Sequence, residues 1–87
     1  MLNRIVLIGR LTRDPSLRYT NQGTAVCSMN LAVDRKFKNA AGEKETDFID
    51  IVAWRQLGEN CANYLSKGKL AAVEGSMQIR SYEDKDG

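Results

Sequence analysis

The sequence predicts a small, mostly β domain, a barrel of four main strands with one helix before the last of them. Three observations support this fold class. Apolar and polar residues alternate along several stretches, as they do in half-buried strands. One stretch, after residue 54, changes to the period of a helix. The 87 residues suffice for one domain with a thin core, which oligomerisation would help to stabilise.

The first strand is expected over Leu2 to Leu11, because Ile5 to Ile8 is continuously apolar and Gly9 bounds it. Such a run is typical of a strand that is covered on both faces or that lies in a subunit contact. Turn-forming residues at 12–16 follow, and Leu17 to Thr20 is expected to be a short extended piece.

The second strand is expected over Ala25 to Phe37, where apolar residues occupy every second position. Its core-facing residues are Cys27, Met29, Leu31 and Val33. Residues 38–45 are polar and contain a glycine, which predicts a protruding hairpin loop.

The third strand, Thr46 to Trp54, has two different faces. Ile49, Ile51 and Ala53 share one face, small and apolar as a core requires. Phe48 and Trp54 fall on the other face, although a core would be expected to bury both of these large rings. We therefore expect these rings to serve a ligand.

An amphipathic helix is expected after Trp54. Its apolar stripe consists of Leu57, Cys61, Tyr64 and Leu65. Gly58 lowers helix propensity by about 1 kcal/mol relative to alanine, so it needs a packing reason or a late helix start. Gly68 is expected to end the helix in a left-handed conformation.

The fourth strand is expected over Leu70 to Tyr82, and residues 83–87 have the composition of a hairpin turn. Three strands, a helix and a further strand, in this order, are typical of a five-stranded Greek-key OB fold that lacks its final strand. We thus expect residues 1–87 to be one truncated OB-fold domain with an open seam.

Composition excludes several classes of function. The sequence has no histidine, the commonest general base and zinc ligand, and its two cysteines have no metal-binding spacing. Asp47 and Asp50 fall on opposite faces of their strand and make no catalytic pair. We expect no catalytic residue, metal or cofactor, and a reduced, buried cysteine pair. Without a signal peptide or an apolar span, a cytoplasmic protein with no membrane contact is expected.

Aromatic rings and cations occur together at the ends of the predicted strands. The net charge of +2 is too small to indicate nucleic-acid binding by itself, so we infer such binding from these positions. Sequence-tolerant binding of single strands uses rings for stacking and cations for phosphates. The rings are Phe37, Phe48, Trp54 and Tyr82, and the cations among them are Arg35, Lys36, Lys38, Arg55 and Arg80. Three alternatives remain: rings that make subunit contacts in an assembly protein, an RNA-binding module and, least supported, an enzyme.

Several motifs, in order along the chain, resemble the DNA-binding domain of bacterial single-stranded DNA-binding proteins. They are Asn3-Arg4, the apolar run to Gly9, Asp14-Pro15, Arg18-Tyr19, Leu31-Ala32-Val33, Tyr64-Leu65-Ser66-Lys67-Gly68 and Glu74-Gly75. The resemblance extends from Met1 to Gly87. It implies an OB fold, homotetrameric in most bacterial members, that wraps single-stranded DNA without catalysis and protects it during replication, recombination and repair.

The resemblance also implies roles for individual residues. Its stacking positions fall on Phe37, Phe48, Trp54 and Tyr82, and its basic contacts on Arg4, Arg80 and Lys67; Arg35 and Arg55 are added from charge and placement alone. In this family the first strand pairs across subunits. Family members continue into another strand and a tail with an acidic tip that recruits replication and repair proteins, so such partners are expected only where that tail exists.

Overall fold

One antiparallel sheet and one helix form the part of the chain that the computed structural model describes, residues 3–77. The elements are β1 (Ile5–Leu11), β2 (Ser16–Tyr19), β3 (Ala25–Asp34), β4 (Thr46–Trp54), α1 (Arg55–Tyr64) and β5 (Leu70–Gly75). The predicted third strand is confirmed at both ends as β4. The short extended piece predicted near residue 17 is β2.

The other strands are shorter than predicted, because each ends where its partner ends. β3 ends at Asp34 rather than Phe37, since the chain turns there into the loop towards β4. β5 ends at Gly75, which pairs with Ile5, the first residue of β1, so no partner strand continues beyond it. Leu2 and residues 78–87, the predicted remainder of the last strand included, lie outside the described residues.

β3 is the central strand of the sheet. One of its edges pairs with β4 from Val26 to Asp34, and the other pairs first with β2 and then with the end of β1. β1 in turn pairs with β5. Within residues 3–77, β4 and β5 do not pair, so the sheet is open there. The strand order and the position of α1 are those of the predicted OB fold.

Gly9 allows β1 to lie close to β3. A Cβ atom at this position would be 2.4 Å from the carbonyl oxygen of Ala32. Because that oxygen belongs to the backbone, no side-chain rotation relieves the overlap. Glycine is therefore required where these strands meet.

The core lies on the inner face of the sheet and contains Leu11, Cys27, Met29, Leu31 and Ala53. Cys27 and Leu31 are completely buried. Full burial of a large apolar side chain contributes about 1.5–3 kcal/mol, so Leu11, Met29 and Leu31 each stabilise the fold by about that amount. The predicted alternation of β3 and β4 is confirmed. Both cysteines are free, as predicted, and burial raises the pKa of each thiol.

α1 packs on the core through small residues, which corrects the predicted apolar stripe. Cys61 and Leu65 contact the core as expected, but Leu57 and Tyr64 are exposed. The helix approaches β4 at Gly58, where a Cβ would lie 2.7 Å from the carbonyl oxygen of Ala53. This close approach is the packing reason predicted for Gly58. None of the helical structure in the described residues has the length and apolarity that crossing a membrane requires.

Gly68 does not end the helix, contrary to prediction. α1 ends at Tyr64, and Leu65 after it is extended. Gly68 has the expected positive φ of 86°, but it lies in the next turn, where the Lys69 N–H donates to the Ser66 carbonyl. The turn is held to the end of β1, because the Gly68 N–H donates to the Leu11 carbonyl.

Candidate nucleic-acid interface

The outer face of β4 carries two exposed aromatic rings. Phe48 is 68% exposed and Trp54 is 55% exposed, whereas Ile49, Ile51 and Ala53 point towards the core. The strand period places the rings on one face, about 20 Å apart at ~3.3 Å per residue. The predicted two-faced strand is thus confirmed, and both rings lie outside the core of the chain.

Trp54 has an arginine in register two strands away. Trp54 pairs with Val26 on β3, and Val26 pairs with Arg18 on β2. The three residues form a row on the outer face, about 10 Å from end to end at the usual strand spacing. They line an open groove of about 340 Å³ together with Tyr19 and Thr20. Such a groove has room for a base on the indole and a phosphate near the guanidinium.

Phe48 is flanked in the same way. It pairs with Ala32 on β3, and Ala32 pairs with Arg10 on β1. A groove of about 230 Å³ borders this row, and Arg10 lines it. The Arg10 guanidinium donates to the carbonyl oxygen of Gly68 at 3.0 Å, which fixes its position. Each ring on β4 therefore has a partner arginine across one intervening strand.

Sequence reasoning missed both arginines. Arg18 and Arg10 lie far from the aromatic positions in sequence and become their neighbours only through strand pairing. The sequence offers one indication of their position. Each alternates with the core-facing residues of its own strand, so its side chain is expected on the outer face. Neither makes an ion pair with a carboxylate within residues 3–77.

Phe37 lies beyond β3, at the base of the hairpin loop, and is 76% exposed. The Lys36 ammonium nitrogen lies 5.7 Å from the centroid of its ring, within cation–π range. The loop is held by its own hydrogen bonds, with the side chain of Asn39 accepting from the Ala41 and Glu43 N–H groups. A ring and a cation are thus presented together on an ordered loop.

Arg35 is paired with two carboxylates. Its guanidinium makes two hydrogen bonds to Asp47, of 3.0 and 3.1 Å, and a further bond to Glu45. The hydrogen bonds from Arg35 lower the pKa of Asp47 and raise that of Arg35 itself. Asp47 has the parity of the core-facing residues, so Arg35 is held away from the outer face that carries Phe48.

The remaining predicted cations occupy three separate places. Arg4 makes an ion pair of 2.6 Å with Glu74. Arg55 directly follows Trp54, is exposed and has a positive φ of 60°, an uncommon conformation for a residue other than glycine. Lys67 is exposed in the turn before β5, where its backbone N–H donates to Asp14. Arg80 and Tyr82, the other two predicted contacts, lie outside the described residues.

Comparison with known proteins identifies the family of this chain. The family model described as "Single-strand binding protein family" matches residues 2–87. The chain belongs to this family. It is 60% identical over its whole length to a single-stranded DNA-binding protein of Halalkalibacterium halodurans, of which it covers 52%. It is 58% identical to single-stranded DNA-binding protein A of Bacillus subtilis and covers 51% of it. The chain thus spans about half the length of the curated relatives it matches.

Membership of the single-strand binding protein family agrees with the chemistry of the outer face. In residues 3–77 no group of three or more histidine, cysteine or acidic side chains is arranged to hold a metal ion. The described outer face carries rings, arginines and shallow grooves, which are features that proteins use to bind single strands.

Proposed function

We propose that this chain binds single-stranded DNA with little sequence preference and without catalysis. Through this binding it would protect DNA during replication, recombination and repair. The observation that carries the proposal is that Phe48 and Trp54 are both exposed, each in register with an arginine. The names of the relatives support the same ligand.

Binding combines two terms that do not depend on base identity. Stacking of a base on an aromatic ring contributes about 1–3 kcal/mol, and every base has a face that can stack. Each phosphate neutralised on a single strand contributes about −0.7 to the slope of log affinity against log salt. The pair Trp54 and Arg18 supplies one stacking contact and one phosphate contact, and the pair Phe48 and Arg10 supplies the same two contacts.

The proposed contact residues differ in what binding requires of them. Three rings and four cations of the proposed set have no ion pair with a carboxylate within residues 3–77 that binding would have to break: Phe37, Phe48, Trp54, Arg10, Arg18, Arg55 and Lys67. Arg4 and Arg35 are held by carboxylates and must exchange them for phosphates, so their net contribution is smaller. Arg80 and Tyr82 complete the proposed set from the resemblance.

We also propose that β1 is the contact between copies of this chain, in a homotetramer. Val6 and Ile8 are each 61% exposed on its outer face, next to the exposed Leu70 on β5. β1 pairs with β3 only at Arg10 and Leu11, so most of that edge is unpaired within the described residues. A second copy can cover the apolar face and pair with the edge.

The proposed site of action is the cytoplasm, where replicating bacterial DNA lies. Recruitment of replication and repair proteins belongs, in this proposal, to a protein that carries the acidic tail of the family.

A titration of Trp54 fluorescence tests the function directly, because the chain has one tryptophan. Oligothymidine should quench the fluorescence strongly, duplex DNA of equal length only weakly, and the affinity should fall as salt rises. Competition with oligouridine separates DNA from RNA as the preferred ligand. Phe48→Ala combined with Trp54→Ala should weaken binding of labelled oligothymidine by about 2–6 kcal/mol. Unchanged affinity in that variant, with an altered oligomeric state, would assign the rings to subunit contacts instead.

A further inference from the structure

A carboxylate lies between the two rings on the outer face of β4. Asp50 has the parity of Phe48 and Trp54 and is exposed. At ~3.3 Å per residue it lies about 7 Å from Phe48 and about 13 Å from Trp54 along the strand. An acidic group in the middle of a surface for a polyanion opposes phosphate binding, so its position needs an explanation.

The carboxylate is held in one orientation by a chain of hydrogen bonds. The Thr12 hydroxyl donates to the side-chain oxygen of Asn30 at 2.8 Å. This bond directs the Asn30 amide nitrogen to the other side, where it donates to Asp50 Oδ1 at 2.9 Å. Asn30 and Asp50 are direct cross-strand partners on β3 and β4. The second carboxylate oxygen, Oδ2, receives no hydrogen bond from the described residues.

An oriented, exposed carboxylate oxygen between stacking rings is a hydrogen-bond acceptor at the level of the bases. Phosphates are repelled from this part of the face and are attracted to Arg18 and Arg10 at its border. The edge of a base stacked on Phe48 is then the part of the ligand that can approach Asp50. Unstacked bases on protein surfaces are commonly hydrogen-bonded along such edges.

We propose that Asp50 accepts a hydrogen bond from the exocyclic amino group of a bound base, and so favours cytosine over thymine at the Phe48 position. This inference rests on the proposed binding of single-stranded DNA. Cytosine presents its N4 amino group as a donor, a known partner of acidic side chains. Thymine presents O4 at the same place, an acceptor that the carboxylate repels. Adenine also carries an exocyclic amino group and is expected to behave like cytosine.

The test compares oligodeoxycytidine with oligothymidine of equal length at slightly alkaline pH, where cytosine is unprotonated. Both are pyrimidine strands, so differences in stacking are small. The measured quantity is the ratio of their affinities in the wild type and in Asp50→Asn. An asparagine amide can present either its oxygen or its NH₂ group, so it accommodates both bases. We expect the ratio of the oligodeoxycytidine affinity to the oligothymidine affinity to fall about fivefold or more in the variant, since one good hydrogen-bonded contact to a base discriminates by at least about 1 kcal/mol.

Glu43→Gln is the matched control, because it removes the same charge from the exposed hairpin loop. It should raise the affinity for both strands equally and leave their ratio unchanged. A second variant, Thr12→Val, releases the Asn30 amide and should reduce the preference in the same direction as Asp50→Asn.

Two results would overturn the inference: an unchanged ratio in Asp50→Asn, or an equal change in Glu43→Gln. Either of them, obtained while both oligonucleotides still bind, leaves the proposed function intact. Absence of binding to any single strand would refute the proposed function itself.

Discussion

Arg18 and Trp54 should act on the same nucleotide, and a double-mutant cycle can measure this. The variants are Arg18→Gln, Trp54→Leu and the combination. Both side chains are exposed and point away from the core, so the substitutions should leave folding intact. Because Trp54 is itself replaced, binding is followed by fluorescence anisotropy of a labelled oligothymidine.

The expected magnitudes follow from the row that joins Arg18, Val26 and Trp54. Loss of one stacked base costs about 1–3 kcal/mol, and loss of one exposed charge contact costs up to about 1 kcal/mol. If one nucleotide bridges the two residues, the double variant should lose less than the sum of the single losses, by at least ~0.5 kcal/mol. The salt slope should decrease in magnitude by about 0.7 in Arg18→Gln, equivalent to one phosphate.

Arg13→Gln provides the control for charge. Arg13 is also exposed, but it lies in the turn between β1 and β2 and pairs with no residue of β3 or β4. Its removal should lower affinity slightly and show no coupling to Trp54→Leu. Strictly additive losses, with the same salt slope in Arg18→Gln as in Arg13→Gln, would refute the shared nucleotide.

Three further outcomes are expected. Gly58→Ala should lower the urea midpoint of unfolding, because the added Cβ would lie 2.7 Å from the Ala53 carbonyl oxygen. Overpacking costs about 1–3 kcal/mol, which should outweigh the gain in helix propensity of about 1 kcal/mol. A raised midpoint would contradict the packing described for α1. Ile8→Glu should produce smaller species in analytical ultracentrifugation. The control Val52→Glu, at an aliphatic position that is also more than half exposed but lies on the face of β4 that carries Phe48 and Trp54, should not. Identical sedimentation of both variants would argue against β1 as the contact. The lowered pKa of Asp47 means that the stability from its pair with Arg35 is complete above the ordinary carboxyl pKa and disappears as pH falls through the folded value. Asp47→Asn should therefore lose less Tm than the wild type between roughly pH 5 and pH 3, and equal losses would show that the pair does not stabilise the fold.

The fold was predictable where alternation alone decides the structure. β4 was predicted at both ends because large rings and small aliphatic residues cannot share one face of a thin core. The inner residues of β3 followed from the same rule. The predicted helix stripe failed at Leu57 and Tyr64, because hydrophobicity selects large residues whereas the approach of α1 to the sheet requires a small one, Gly58.

The site was predictable in its rings but not in its cations. Exposure of Phe48 and Trp54 follows from local parity. The partners of Arg35 depend on which residues of β4 and the hairpin loop lie opposite it, and the neighbours of Arg18 depend on the pairing of β2 with β3. A single sequence does not show which strand residues lie opposite one another, so it did not reveal that Arg35 pairs with carboxylates or that Arg10 and Arg18 lie in register with the rings.

Trp54 occupies a mechanical junction. It is the last residue of β4 and the N-cap of α1, and Arg55 after it turns the chain with a positive φ. No loop residue separates the strand from the helix, so the position of the Trp54 ring is directly coupled to the start of α1. A base stacked on the indole would restrain Trp54 and reduce fraying of the first turn of α1. Slower amide hydrogen exchange in that turn would therefore report DNA binding on the outer face, although the helix itself packs on the core side of the sheet.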